Sequence, residues 1–425
     1  MKILITGTTG DSMPPPYGGI PKVSLLYARA WKKMGHDVAV TFTYRPENAD
    51  DFGANAQYFF EYITKPTKSN KAFFLLKYFL QNPILYTSLL SSYLRIYPKL
   101  QVETILYSAY GVYMNSVISE FKPDIILSQT ALIKTHMVLE IANTQHVPVV
   151  IDTYAEVRDG MMGVNKHLSE IEQRKYWVTF LERAQLVLGM SNCTDGVKKY
   201  LPNDKVKEFY DTCDFEMSKT VIAETREELR KHFGLPEKSF IVGAVGAFDL
   251  RKGHTELIQA AAKRIHAGDD VAVAICGAGD KTAWTELAKK EGIEGKVFFF
   301  SRLAEVELIK LHKSLNLYSN VSNSLRSCGH DLALLEAMAS ALPIIVSDTG
   351  ALPTAVEEGV NGFVTITNDI DSIAAAIQKM FTKTEADRKA MGEKSKEIAK
   401  KYDIDTTSQI KWAWMDEVIK KYSIT

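Results

Sequence analysis

Two carboxylates five residues apart, Asp331 and Glu336, stand in the stretch of this sequence whose residue types and spacing read most clearly as a site. It covers residues 319–363, SNVSNSLRSCGHDLALLEAMASALPIIVSDTGALPTAVEEGVNGF. A loop, SLRSCGH, leads to Asp331, which is placed to N-cap a helix with an apolar stripe of Leu332, Leu335, Met338 and Ala339. Phosphate suits such a helix start, because the free N–H groups and the dipole both favour an anion. Glu336 is still near that end, and a carboxylate there can accept from two hydroxyls of one ribose.

The elements that must position these residues follow from the pattern around them. Leu342-Pro343 stops the helix, and Ile344, Ile345 and Val346 form a short apolar run, as expected of a parallel strand buried on both faces. Asp348-Thr-Gly350 then turns the chain, and ligands of open α/β sheets bind outside the carboxyl ends of strands. The start of the chain follows the same plan. Ile3–Ile5 reads as a strand, the loop GTTGDSMPPPYGGIPK follows, a helix has Val23, Leu26, Tyr27, Ala30 and Trp31 on one side, and Val38–Val40 is the next strand. Strands follow at PDIILSQ, VPVVIDTY and QLVLGMS, the last read as closing this half. A charged linker over about 216–236 follows, and SFIVGAVG restarts a strand-first pattern. Two α/β domains are expected.

The segment LLEAMASALPIIVSDTGALPTAVEEGVNGFV resembles the nucleotide-sugar site of retaining glycosyltransferases with two Rossmann domains, the GT-B group. It is most similar to family four, which also holds bacterial phosphatidylinositol mannosyltransferases and sucrose synthases. The resemblance implies a GT-B fold with two Rossmann-like domains facing across a cleft: an acceptor domain over 1–215, a nucleotide-sugar donor domain over 216–405, and a helix over 406–425 crossing back to the first. It implies transfer of a hexose from a nucleoside-diphosphate sugar to an acceptor hydroxyl, with retention and without a metal or other cofactor.

The same resemblance distributes roles. Glu336 would bind the donor ribose. Lys252, followed by Gly253, matches a Lys-Gly pair that clamps the diphosphate, and Arg251 beside it would stabilise the leaving group. Gly18 and Gly19 would let the backbone approach the diphosphate, Gly246 would open the donor site, and Arg302 would lie by the base. Gly329, His330, Asp331 and Leu332 form the donor loop and helix start; the alternative is that Asp331 only caps and His330 only faces solvent. Tyr154, Glu156 and Arg158 (with Asp159) are candidate acceptor contacts at a strand end beginning at Asp152, against a plain solvated loop. Three positions depart from the pattern: Cys328 replaces the first of two glutamates eight positions apart, Ala247 replaces an arginine, and Thr153-Tyr154 stands where many relatives have a histidine. These departures keep a second reading open, a lapsed nucleotide-binding subunit supporting an active partner, and a third, an epimerase or phosphorylase on the same fold.

Composition narrows the classes further. Lys+Arg and Asp+Glu are both 51, so charge offers no case for nucleic acid. The start MKILITGTT reads as a strand rather than a signal peptide, and no apolar run is long enough to span a membrane. Four cysteines without C-x-x-C spacing fit free thiols in a cytoplasmic protein. Residues 65–100 interleave Lys65, Lys68, Lys71 and Lys77 with Phe73, Phe74, Leu75, Leu76, Tyr78 and Phe79. Such a segment suits peripheral contact with the inner face of a membrane, or else a helix pair packed on the domain core. The D-x-D strings at Asp369–Asp371 and Asp403–Asp405 precede helices, where Asp acts as a cap rather than a metal ligand.

Overall fold

The computed structural model describes residues 1–6, 19–42, 58–59, 68–96, 102–129, 133–153, 178–179, 181–191, 193–218, 220, 222–323 and 329–424. The chain divides into two units, Met1–Phe209 with Asp405–Thr425, and Tyr210–Ile404.

In the first unit seven parallel strands form one sheet in the order β3-β2-β1-β4-β5-β6-β7. They are β1 (Lys2–Thr6), β2 (Asp37–Phe42), β3 (Tyr58–Phe59), β4 (Ile125–Ser128), β5 (Val149–Thr153), β6 (Leu186–Met190) and β7 (Val206–Phe209). Strand β7 follows the one expected to be last. Its VKEF buries Val206 and Phe209 at its ends and opens Lys207 and Glu208 between them, which a sheet-edge strand permits and which breaks any continuous apolar run. The strand order reverses direction between β1 and β4, the Rossmann pattern.

The second unit repeats the plan with six parallel strands in the order β10-β9-β8-β11-β12-β13. These are β8 (Phe240–Val245), β9 (Val271–Cys276), β10 (Val297–Phe300), β11 (Leu317–Asn320), β12 (Ile344–Ser347) and β13 (Gly362–Thr365). Successive residues point to opposite faces. Val242, Val273 and Ile345 join one apolar layer, and Ile241, Ala272, Ile344 and Val346 join the other. The second layer is closed by Leu334, Leu335 and Met338 of the helix Leu332–Ala339. A capping box at Thr225 and Glu228 starts the helix Arg226–His232 that leads into β8.

Residues 68–96 form two helices, Lys68–Gln81 and Pro83–Ile96, the helix pair that was one of the two expectations for this segment. Tyr78, Tyr86, Leu89 and Tyr93 are buried in the core of the first unit. Phe73, Leu76 and Leu80 lie on another face of the first helix and are exposed, as is Ile84 in the second, at 82%. Among the described residues no helix is long and apolar enough to cross a membrane.

The last helix, Ile404–Tyr422, brings its residues from Asp405 onward into the first unit. Lys411 is 1% exposed there and donates to Asp152 of β5, itself fully buried, at 2.7 Å. Its ammonium also lies 4.2 Å from the Tyr27 ring centre and 4.1 Å from that of Phe209. Burial alone would lower the lysine's pKa; Asp152 and Tyr27 outweigh it and hold the pKa above its usual value. Trp31 donates from Nε1 to the Ser408 carbonyl at 3.0 Å. Asp152, expected at an open strand tip, is therefore occupied inside the core.

An uncompensated buried charge is far costlier than the pair is beneficial. Lys411→Ala should destabilise the chain by about 3–5 kcal/mol, and Lys411→Ala with Asp152→Ala should recover part of the loss. Urea unfolding followed by circular dichroism checks this; a double variant no better than the single one would contradict it.

Candidate functional site

The second unit brings Gly246, Lys252 and Asp331 together at the carboxyl ends of β8 and β11, where its strand order reverses. After β8, Gly246 donates to the Cys276 carbonyl and Phe248 to that of Ala278, so the loop follows the end of β9. Asp249 caps the turn Leu250–Lys252 by accepting from the Arg251 N–H. Gly253 follows at φ 72°, and a Cβ there would stand 1.9 Å from the Val321 carbonyl oxygen. Only glycine fits so close to the β11 loop. That approach is fastened by Ser322 Oγ and Asn323 N–H, which donate to the Arg251 carbonyl at 2.8 and 3.1 Å. The helix His254–His266 then begins.

Lys252 is thereby aimed back across Gly246, with its Cγ and Cδ 3.3 Å from where a Cβ of residue 246 would be. Its ammonium donates to both oxygens of Asp331, at 2.9 and 2.8 Å. Asn320, the last residue of β11, donates from Nδ2 to the same carboxylate at 3.3 Å. Both side chains remain partly open, Lys252 at 31% and Asp331 at 27%.

Asp331 does not cap the helix that follows: its side chain makes no cap bond, because it is turned to Lys252 and Asn320. Its backbone sits at φ 63°, ψ 128°, outside the small left-handed well that Asp can enter. Such a conformation costs about 1–3 kcal/mol in a residue other than glycine. A partly open ion pair returns roughly 1 kcal/mol at most, so the pair alone does not explain an aspartate here.

His330 does not face solvent. It is fully buried, with its backbone N–H on Asp211 at 2.7 Å and its Nε2 within 2.7 Å of Thr354 Oγ1 and 3.2 Å of the Tyr402 hydroxyl. Burial pushes its pKa down to about 3, assisted by Lys401 and opposed by Asp331. The ring is a neutral anchor for the loop that presents Asp331. Gly329 beside it is buried as well, and Leu332 opens the helix, half-buried. Glu336 lies one turn further along, half-buried.

Arg251 takes a different course from Lys252. Its guanidinium, 62% exposed, chelates Asp249 at 2.9 and 2.6 Å, and that bond holds the Asp249 carboxyl down at about 2. Arg302 is exposed just after β10, two strands from β8. It acts on Cys276, whose thiol burial pushes up to about 11. Gly19 opens the helix Gly19–Lys33 of the first unit. Gly18, Tyr154, Glu156, Arg158, Asp159 and Cys328 lie outside the described residues. Asn320, Asp211, Thr354 and Tyr402 were not singled out from sequence. A polar residue ending the strand LYSN was a usable signal for Asn320; the other three are distant in sequence and carry none. The D-x-D strings act locally: Asp369 caps its helix through Ser372, Asp371 pairs with Lys263, Asp403 accepts from the Phe215 N–H, and Asp405 pairs with Lys33.

Solved structures share this architecture along nearly the whole chain. The crystal structure of Anabaena Alr3699/HepE in complex with UDP and glucose aligns with a TM-score of 0.73 at 17% identity, over 98% of this chain and 100% of that one. WaaG, a glycosyltransferase involved in lipopolysaccharide biosynthesis, aligns at 0.63 and 17% identity, over 96% and 97%. The fold class is GT-B, two Rossmann-like α/β units. Residues 225–398, which contain Lys252, Asp331 and Glu336, match the model of the glycosyl transferases group 1 family. The D-inositol 3-phosphate glycosyltransferase of Corynebacterium jeikeium is 29% identical over 191 residues, 43% of this chain and 45% of that protein. The chain thus matches about half the length of such a relative.

The neutral state of His330 has a pH signature. In an unfolded chain its pKa is about 6.5. A folded value near 3 means that its contribution to stability is whole above about pH 6.5 and is lost as pH falls, at roughly 1.4 kcal/mol per unit. His330→Gln should therefore lose less stability than the parent between about pH 6.5 and 4.5. Thermal melts across that range test it, and parallel curves would contradict it.

Proposed function

We propose that this protein is a glycosyltransferase that moves a hexose from a nucleoside-diphosphate sugar to an acceptor hydroxyl, with retention and without a metal. The observation that carries the reading is Lys252. A cation is held at the strand-order reversal, beside a helix start and one turn from Glu336, inside the region that matches the glycosyl transferases group 1 model. HepE, with the same fold, is solved with UDP and glucose, which supports a nucleotide-sugar donor.

In this reading the diphosphate binds against Lys252 and the backbone N–H groups at Gly329–Leu332, while Glu336 accepts from the ribose hydroxyls. Lys252 stabilises charge as it develops on the leaving diphosphate. The leaving phosphate helps to take the acceptor proton on the same face of the sugar, so no protein nucleophile is required. His330 keeps the donor loop in place without exchanging protons near neutral pH. One observation favours a second reading, a lapsed binding subunit: Lys252 already has a carboxylate partner, and Cys328 and Ala247 replace charged residues of the family pattern.

Calorimetric titration with UDP, GDP, ADP and their sugars tests the donor site. Lys252→Ala should weaken the best ligand at least about tenfold, or ~1.4 kcal/mol. Unchanged affinity would remove Lys252 from the site. Binding of bare nucleotide alone would favour the lapsed subunit.

We also propose that the exposed face of Phe73, Leu76, Leu80 and Ile84, with Lys77 beside it, rests on an anionic membrane surface. The parent should co-sediment with phosphatidylglycerol vesicles at low salt, and Leu76→Glu with Leu80→Glu should abolish this. Absence of binding by the parent would end the idea.

A further inference from the structure

We infer that Asp331 is the specificity-determining carboxylate of the donor site. It holds Lys252 before a donor binds and accepts hydrogen bonds from sugar hydroxyls afterwards. The site therefore selects a nucleotide sugar over the bare nucleoside diphosphate. This rests on the donor reading above and extends it.

Three observations converge on that residue. Asp331 occupies a strained backbone conformation that glycine would adopt freely, and its ion pair does not offset the strain. Its carboxylate faces the ligand-binding end of the sheet, bridged to Lys252 and Asn320 rather than spent on the helix start. Both members of the pair are partly open, so an incoming ligand reaches them without unfolding the loop. The loop is in turn fixed from behind by His330, through Asp211, Thr354 and Tyr402.

The electrostatic consequence is asymmetric. A bare diphosphate competes with Asp331 for Lys252 and brings its own negative charge towards the displaced carboxylate. A nucleotide sugar also meets Lys252, but its hydroxyls donate to Asp331 and satisfy the acceptor that the exchange leaves behind. The carboxylate thus acts against the spent nucleotide and in favour of the loaded one, which is selection by a repulsive element.

The test compares UDP with UDP-glucose, GDP with GDP-mannose, ADP with ADP-glucose, and inorganic pyrophosphate, each by calorimetry. The proteins are the full chain and its Asp331→Asn and Asp331→Gly variants. Asparagine keeps the shape and glycine removes the Cβ from a strained position, so at least one variant should fold, as circular dichroism will show. Both should bind the bare nucleoside diphosphate and pyrophosphate more tightly, by about fivefold or more, and the preference for the sugar form should shrink about tenfold. If the parent binds a nucleotide and neither variant changes the ratio, the inference falls and the donor reading stands. If the parent binds none of the probes, both fall.

Discussion

The donor-side arrangement depends on how closely the loop after β8 passes the end of β11. With no side chain at Gly253, the backbone can pass beside the Val321 carbonyl, and Ser322 and Asn323 can grip the Arg251 carbonyl from the other strand. Lys252 is the residue between those two fixed points. Its direction is therefore set by backbone packing rather than by its own flexible stem, and a charge that would otherwise sample many rotamers is delivered across Gly246 to one carboxylate. A β-branched residue at 253 would push the two loops apart and release the lysine, even with every charged group still present.

The two units solve the same problem differently. The second buries apolar layers on both faces of its sheet, and its buried Arg230 is met by the carbonyls of Ser314 and Glu237 and by Asn316 rather than by a counter-charge. The first places a full ion pair, Lys411–Asp152, inside its core between the Tyr27 and Phe209 rings. Such a pair adds little net stability compared with an apolar replacement, whereas removing one partner alone leaves a costly buried charge.

Much of this was legible in the chain, for identifiable reasons. Runs such as Ile344–Val346 announce parallel strands because burial on both faces removes alternation. Residues 331–339 announce a helix because its apolar stripe follows a loop, and the structure has that helix at Leu332–Ala339. Strand β7 stayed hidden because an edge strand need not be continuously apolar, and β3 because two residues carry no period at all. The partners of His330 were illegible: Asp211 and Tyr402 lie 119 and 72 residues away, and no local pattern encodes such a contact. Asp331 was read as a cap on residue type and position. What overrode that preference was a stronger partner, the Lys252 ammonium, brought in by tertiary structure.

The path of the last helix also bears on the order of events during synthesis. The second unit is contained between Tyr210 and Ile404, whereas the first is closed by a lysine that comes 202 residues after Phe209. As the chain emerges from the ribosome, Asp152 must wait for Lys411, so the half made first is the half finished last. Until then its core lacks the last helix and the lysine that meets Asp152. The nascent first half is thus the more exposed to chaperones and proteases, although it leaves the ribosome well ahead of the second.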